Sequence, residues 1–448
     1  MTEKRLLAEV TQKYEEAYQK RTKKSKATIE AARKYMPGGE SRSAIWFDPY
    51  PIWIDRAEGC RFTDVDGNEY IDFHNCYTTM ILGHANPRVV AAVREQAGQG
   101  TAMGALIPKV VRWAELVCNW AYSVEKVRFG NSGTEVVMMA LRAARAVTGR
   151  DLILKTEHCY HGSYDPVVSP SDAPGITKGV QRESIIVPYN DKKAAEKAII
   201  ENKGRLAAVI VEGAMGSAGM IPPRDGYLEF LRKITADNGV LFILDEVISL
   251  RLAVGGTQKI FGVKPDLTTM GKIIGGGYPV GAVGGTADIM KIFEPGPGKV
   301  FHSGTLNANP MTATAGIATM EQLTPEAIEK INKLGESFAS GVRGVFKRLN
   351  IKGQVTGIGS LQNIHFSDKP VIDGKSAKET NKELLHLFYL AMQERGMFSA
   401  ARGMYVMSTP MTQKEIDATV KAVEDVMRDL KPAIEDLWPE LIGQEPVA

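Results

Sequence analysis

Three short stretches of this chain carry residue types that together could hold and activate one organic cofactor. Phe129-Gly130-Asn131-Ser132-Gly133-Thr134-Glu135 reads as a strand running through a glycine turn into a helix. Free N–H groups at a helix start attract an anion, Gly133 lets it approach the backbone, and Ser132 and Thr134 add hydroxyl donors. Asp245 closes the apolar run Val240-Leu241-Phe242-Ile243-Leu244, which puts a carboxylate at a buried strand end, where open α/β sheets place ligands. Lys272 follows among glycines, in Met270-Gly271-Lys272-Ile273-Ile274-Gly275. An amine for a covalent imine, a carboxylate beside a ring nitrogen and an anion site for a phosphate are what pyridoxal phosphate requires. A desolvated lysine loses its proton easily, so it can form the imine and later shuttle the substrate proton. Singly, each feature has a plainer reading: a Ser132 helix cap, an Asp245 loop cap, an exposed turn lysine. Their order and spacing favour the cofactor.

The elements that must carry these residues are those of an α/β fold. From about residue 76 to 320, helical stretches alternate with short apolar runs rich in β-branched residues, the pattern of a mostly parallel sheet buried on both faces. The expected strands are 126–129, 151–155, 184–187, 207–212, 240–245 and 281–284, with an apolar strand before Lys272. Helices are expected at 135–148 and 227–238, and Pro295-Gly296-Pro297-Gly298 must be a loop. Residues 1–75 read as a charged helical arm stopped by Met36-Pro37-Gly38-Gly39, then a hairpin turning at Asp66-Gly67-Asn68. Beyond about 321, amphipathic helices at 325–349, 378–395 and from 413 to about 430 alternate with extended runs at 354–356 and 362–366. That α+β segment, 321–448, is expected to be a smaller domain joined by the 1–75 hairpin.

Composition removes several function classes. The 55 basic and 52 acidic residues leave a net charge of +3, which gives no electrostatic reason to expect nucleic acid or an acidic membrane surface. No run approaches a membrane span, and the start Met1-Thr2-Glu3-Lys4-Arg5 lacks the apolar core of a signal peptide, so the default expectation is cytoplasmic. Cys60, Cys76, Cys118 and Cys159 are scattered and are expected to be reduced. The seven histidines show no metal-ligand spacing, and no metal is expected.

The ordered motifs resemble those of the class III aminotransferases, pyridoxal-phosphate enzymes of fold type I, and within them the glutamate-1-semialdehyde aminomutase-like branch. The resemblance runs from Tyr35-Met36-Pro37-Gly38-Gly39 through Asp64-Val65-Asp66-Gly67-Asn68 and Leu82-Gly83-His84-Ala85-Asn86-Pro87. It continues through Asn131-Ser132-Gly133-Thr134-Glu135, Tyr160-His161-Gly162, Asp245-Glu246-Val247 and Gly271-Lys272. It implies a homodimer with active sites at the subunit boundary. It also implies that Lys272 is the Schiff-base lysine, Asp245 the ring-nitrogen partner, and Val247 and Tyr160 the two faces of the ring site. Ser132, Gly133 and Thr134 match the phosphate positions, His161 belongs to the same cofactor set, and Glu212 matches an acidic residue near the cofactor oxygen. Thr305, in His302-Ser303-Gly304-Thr305, matches a threonine reaching the phosphate from the other subunit. Departures are Gly213 after Glu212, where relatives often have proline, Ile248-Ser249-Leu250-Arg251-Leu252 after Val247, and Met404-Tyr405-Val406-Met407-Ser408-Thr409 near the C-terminus.

An amino-acid substrate needs a cationic clamp, best supplied by arginine. Arg42 and Arg402 resemble the carboxylate-binding arginines of relatives that act on β-amino acids such as β-phenylalanine, and Trp46, Phe47 and Tyr50 are aromatic candidates for the substrate pocket. Each arginine could equally serve an ordinary surface ion pair. The preferred expectation is an aminotransferase that moves an amino group from such a donor to a 2-oxo acid in two half-reactions. The alternatives are glutamate-1-semialdehyde 2,1-aminomutase, an amino-acid racemase, and a non-catalytic binding protein on a transaminase scaffold.

Overall fold

The computed structural model describes residues 3–170 and 172–444; the first two residues of the expected arm and the last four of the expected small domain lie outside these. Three sheets organise the described residues. The arm is two helices, Glu3–Arg21 and Lys23–Ala32, separated at Thr22, whose hydroxyl turns back to the Tyr18 carbonyl at 2.7 Å. Next come β1 (Ile54–Glu58), β2 (Arg61–Asp64) and β3 (Glu69–Asp72), with β2 and β3 forming the hairpin around Asp66-Gly67-Asn68. Asp64 pins that turn, its Oδ1 accepting from the N–H groups of Asp66 and Asn68 at 3.0 and 2.8 Å.

The central sheet contains β4 (Lys126–Gly130), β5 (Leu152–Thr156), β6 (Ser184–Val187), β7 (Leu206–Glu212), β8 (Leu241–Asp245), β9 (Leu267–Gly271) and β10 (Gly281–Gly285). Its order is β4-β10-β9-β8-β7-β5-β6, parallel throughout except for β10, which runs antiparallel to both neighbours. Alternate residues feed opposite faces. Leu154, Val209, Val211, Phe242 and Leu244 pack under the helices Lys192–Asn202 and Tyr227–Asp237. Ile153, Ala208, Ile210 and Ile243 pack against the helix Gly133–Thr148 on the other side. Both faces are therefore apolar, which is why these strands read as unbroken hydrophobic runs.

The rest of the chain supplies a three-stranded sheet, β11 (Gly353–Ile358), β12 (Leu361–Phe366) and β14 (Met404–Val406), against the helices Pro325–Leu349 and Lys382–Glu394, with the helix Gln413–Leu437 packed on both of these helices. The two-residue β13 (Met397–Phe398) pairs in parallel with β3, so a C-terminal segment completes the N-terminal sheet. Two expected helices differ. The helix expected at 378–395 starts later, as Lys382–Glu394, because Asn381 caps it by accepting from the Leu384 N–H at 2.8 Å, and a separate short helix, Gly374–Lys378, precedes it. The last helix runs on to Leu437 despite Pro432 inside it.

Gly281 marks how tightly β10 is pressed against the glycine turn after β4: an added Cβ would stand 2.1 Å from the Ser132 carbonyl oxygen. Gly281→Ala should lower stability by about 1–3 kcal/mol through overpacking, read as a lower denaturant midpoint with an unchanged slope. An unchanged midpoint would show that the Ser132 turn yields without cost.

Candidate active site

The carboxyl ends of β4, β5, β7, β8 and β9 lie along one edge of the sheet, with the start of β10 between β4 and β9, and each ends at or leads into a residue of the site. β4 leads into the Ser132 turn. Ser132 accepts from the Glu135 N–H at 3.2 Å, and Glu135 accepts in return from the Asn131 N–H at 2.6 Å. The Ser132 oxygen is thus engaged as an acceptor while its hydrogen remains available. The first N–H groups of a helix have no intrahelical partners, so Gly133 and Thr134 offer donors there as well. Val247 closes one side: its methyls lie 3.7 Å from where a Gly133 Cβ would stand and 3.5 Å from that of Gly271. The turn after β4, the turn after β8 and the residue preceding Lys272 therefore wall a single space.

The loop after β5 closes another side. Thr134 Oγ1 accepts from the Ser163 N–H at 3.0 Å, and Gly162, at φ +87°, passes so near that a Cβ would meet this oxygen at 2.4 Å. Only glycine satisfies both constraints. The same loop sends His161 inward. His161 Nδ1 and Asp245 Oδ2 are 2.7 Å apart with both side chains buried, while Asp245 Oδ1 accepts from the Val247 N–H at 3.0 Å. Burial opposes the charged imidazole, but the Cys159 sulfur and Asp245 outweigh it and raise the His161 pKa. His161 Nε2 is buried without a hydrogen-bond partner among the described residues.

β7 ends at Glu212, directly in register with Asp245. Glu212 accepts from the Gly216 N–H at 2.9 Å and the Tyr160 N–H at 3.2 Å, so the Gly213 that follows it does not leave it loose. Burial, reinforced by Asp245, pushes its carboxyl up to about 7. Tyr160 itself is 57% exposed, an aromatic ring left open beside buried charges. β9 leads directly into Lys272, whose backbone adopts φ +50°, unusual for a non-glycine residue. Burial lowers the pKa of its amine, Cys76 opposes the shift, and no hydrogen bond to the amine forms among the described residues.

Of the residues proposed for substrate, Arg42 and Arg402 border different cavities. Arg42 lines one of about 470 Å³ with Phe47, Trp53, Tyr77 and Tyr389, and its Nη1 lies 3.8 Å from the Cys76 sulfur. Arg402 lines a second, of about 220 Å³, with Tyr160. Neither arginine has a carboxylate partner among the described residues, and Arg402 Nε is buried without any partner. Trp46 stands aside: it lies beside Arg33, 5.8 Å from guanidinium carbon to ring centre, while the neighbouring Phe47 lines the larger cavity. Thr305 is exposed on the loop before Asn307, which accepts a 2.7 Å bond from Asn131 beside the Ser132 turn.

A helix start with hydroxyl donors, a buried carboxylate with spare lone pairs, an open aromatic ring and an unpartnered lysine suit pyridoxal phosphate. The class III aminotransferase family model matches residues 43–427. The chain belongs to the class III aminotransferase family. It is therefore an enzyme of the pyridoxal-phosphate-dependent kind. It is 41% identical to a glutamate-1-semialdehyde 2,1-aminomutase of Methanocaldococcus jannaschii over 91% of this chain and 99% of that protein. An omega-transaminase from Sphaerobacter thermophilus is 39% identical with a TM-score of 0.88, over 91% of this chain and 98% of that one. A beta-phenylalanine aminotransferase from Variovorax paradoxus is 33% identical with a TM-score of 0.90, over 99% and 100%.

Two departures from the family pattern touch one another. Gly213 sits where a Cβ would meet Thr257 Oγ1 at 2.0 Å and Ser249 Oγ at 2.7 Å, and Ser249 donates at 2.6 Å to the buried Glu246. Sequence reasoning missed the segment His74–Thr78, which brings His74, Cys76 and Tyr77 to the larger cavity. Its run of positive φ from Asn75 to Thr78 left no signal in the residue types apart from asparagine.

Because Glu212 binds its proton more tightly folded than unfolded, stability must fall as pH rises from its ordinary value of 4.5 to about 7, then level off. Glu212→Gln, which cannot ionise, should gain on the wild type across that window by on the order of 3 kcal/mol in the cofactor-free protein. Parallel midpoint-against-pH curves for the two proteins would refute a raised Glu212 pKa.

Proposed function

We propose that this class III enzyme transfers an amino group from an amino acid with its amine β to the carboxylate, β-phenylalanine being the type case, to a dicarboxylic 2-oxo acid. Two arginines without carboxylate partners among the described residues, Arg42 and Arg402, carry the proposal: they line separate cavities, and Arg402 is near enough to Lys272 for its charge to help burial lower the pKa of that amine. Donor and acceptor visit the same amine in turn, but their carboxylates stand at different distances from the reacting carbon. Arg42 binds the donor carboxylate and Arg402 the α-carboxylate of the acceptor. The apolar wall near Arg42, with Phe47 and Trp53, suits an aromatic donor side chain.

When bound, the cofactor supplies an electron sink for loss of a proton beside the substrate nitrogen. Ser132, Gly133 and Thr134 hold its phosphate through a hydroxyl and helix N–H groups. Asp245, steadied by His161, would pair with the ring nitrogen and favour its protonated form. Val247 and Tyr160 would flank the ring, and Glu212 would serve its oxygen. Burial lowers the pKa of the Lys272 amine, which favours the neutral form that takes the substrate proton at Nζ and returns it. In a homodimer, Thr305 of each protomer completes the phosphate site of the other.

The second reading, a 2,1-aminomutase acting on glutamate-1-semialdehyde, draws on the 41% identity to the Methanocaldococcus protein. Dependence on an external oxo acid separates the two. With a β-amino donor, activity should require 2-oxoglutarate, and Arg42→Ala should cost about 2–5 kcal/mol in donor kcat/KM. Arg402→Ala should act instead on 2-oxoglutarate. Full turnover of glutamate-1-semialdehyde with no acceptor, or an intact β-donor efficiency in Arg42→Ala, would defeat the transfer proposal. Light scattering should give the mass of two chains, and Thr305→Ala should weaken cofactor retention on dialysis; a monomer holding cofactor as tightly as the wild type would remove the shared site.

A further inference from the structure

Asn75, Cys76, Tyr77 and Thr78 have φ values of +48°, +47°, +52° and +74°, a complete left-handed turn without glycine. Such a conformation costs roughly 1–2 kcal/mol per residue, and it persists only where its surroundings dictate it. Here they do. Asp72 Oδ1 accepts from the His74 and Asn75 N–H groups at 2.8 and 2.9 Å, and Asp72 Oδ2 lies 2.7 Å from His84 Nε2. Asn75 Nδ2 donates to the Val406 carbonyl at 2.7 Å. The fully buried Arg251 donates to the Thr78 carbonyl at 3.1 Å and also to the Met407 carbonyl.

All this support presents one side chain between the two arginines. The Arg402 guanidinium lies over the Tyr77 ring, 5.0 Å from its centre, and the Tyr77 hydroxyl donates to the Ala44 carbonyl, two residues beyond Arg42. His74 holds the other edge, its ring centre 4.1 Å from that of Tyr77, with Nδ1 accepting from the Tyr77 N–H at 3.3 Å. We infer that Tyr77 is the specificity-determining residue that sets the positions of both arginines, its hydroxyl fixing the Arg42 loop and its ring fixing the Arg402 head. The inference rests on the reading of Arg42 as donor clamp and Arg402 as acceptor clamp. Two separable contacts on one residue give it a distinctive consequence: the donor and acceptor sides can be unlinked by choosing which contact to remove.

The experiment uses the holoenzyme with a β-amino donor and 2-oxoglutarate, measuring the KM of each. Tyr77→Phe keeps the ring under Arg402 and loses only the bond to Ala44. It should raise donor KM about tenfold, the worth of one hydrogen bond, leaving acceptor KM and the visible cofactor band unchanged. Tyr77→Leu loses both contacts and should raise both KM values. A general loss of structure would move both together and disturb the band in the Phe variant too, so that pattern overturns the inference. It is likewise overturned, with the clamp reading intact, if Tyr77→Phe leaves both KM values unaltered while Arg42→Ala raises donor KM and Arg402→Ala acceptor KM. If both arginine variants are silent, the clamp reading falls and takes the Tyr77 role with it.

Discussion

Asp245 is a carboxylate kept almost out of water at the end of a central strand, and the arrangement of the site follows from giving both its oxygens partners there. A buried carboxylate left without hydrogen-bond partners is costly. His161 at 2.7 Å and the Val247 N–H at 3.0 Å meet that cost, one on each oxygen. His161 can reach Asp245 only because the loop after β5 folds over the Ser132 turn, which in turn demands Gly162 against Thr134. The same loop brings the Tyr160 N–H to Glu212, so two acidic strand ends in register are distinguished by their partners. Asp245 receives a histidine; Glu212 receives only backbone donors, and burial pushes its carboxyl up to about 7.

The three arginines near the site show how differently one cation can be used. Arg251 is fully buried with carbonyl and hydroxyl partners, a strut whose charge is dispersed over backbone dipoles. Burial lowers its pKa to about 9, which still leaves it charged at neutral pH. Arg402 keeps a buried nitrogen with no partner, an arrangement that is costly until an acceptor arrives. Arg42 is exposed and lightly held. Structural and ligand-binding arginines are separable here by asking which of them has its hydrogen bonds satisfied.

Much of the cofactor cradle was legible because a parallel sheet imposes simple rules on sequence. Buried strands appear as short apolar runs, so Asp245 and Glu212 stood out as acids at their ends, and the Ser132 turn stood out as glycine and hydroxyls before a helix. Other parts obeyed longer-range constraints. Nothing local distinguishes Trp46 from Phe47, and only the packing of Tyr389 and Tyr18 against Phe47 decides which turns inward. The helix start at Asn381 lay within a helical pattern that tolerates a polar residue. The left-handed turn at Asn75–Thr78 is dictated by Asp72, Val406 and Arg251, partners up to 331 positions away in the chain.

The pairing of β13 with β3 bears on the order in which the protein can form as it is made. Met397 and Phe398 complete a sheet begun at Ile54, so the hairpin stays unpaired along one edge until nearly nine-tenths of the 448 residues have left the ribosome. The central sheet, whose strands all lie between Lys126 and Gly285, can assemble first. The early hairpin edge then waits exposed during synthesis, when an open strand edge is most prone to pair with a neighbouring nascent chain.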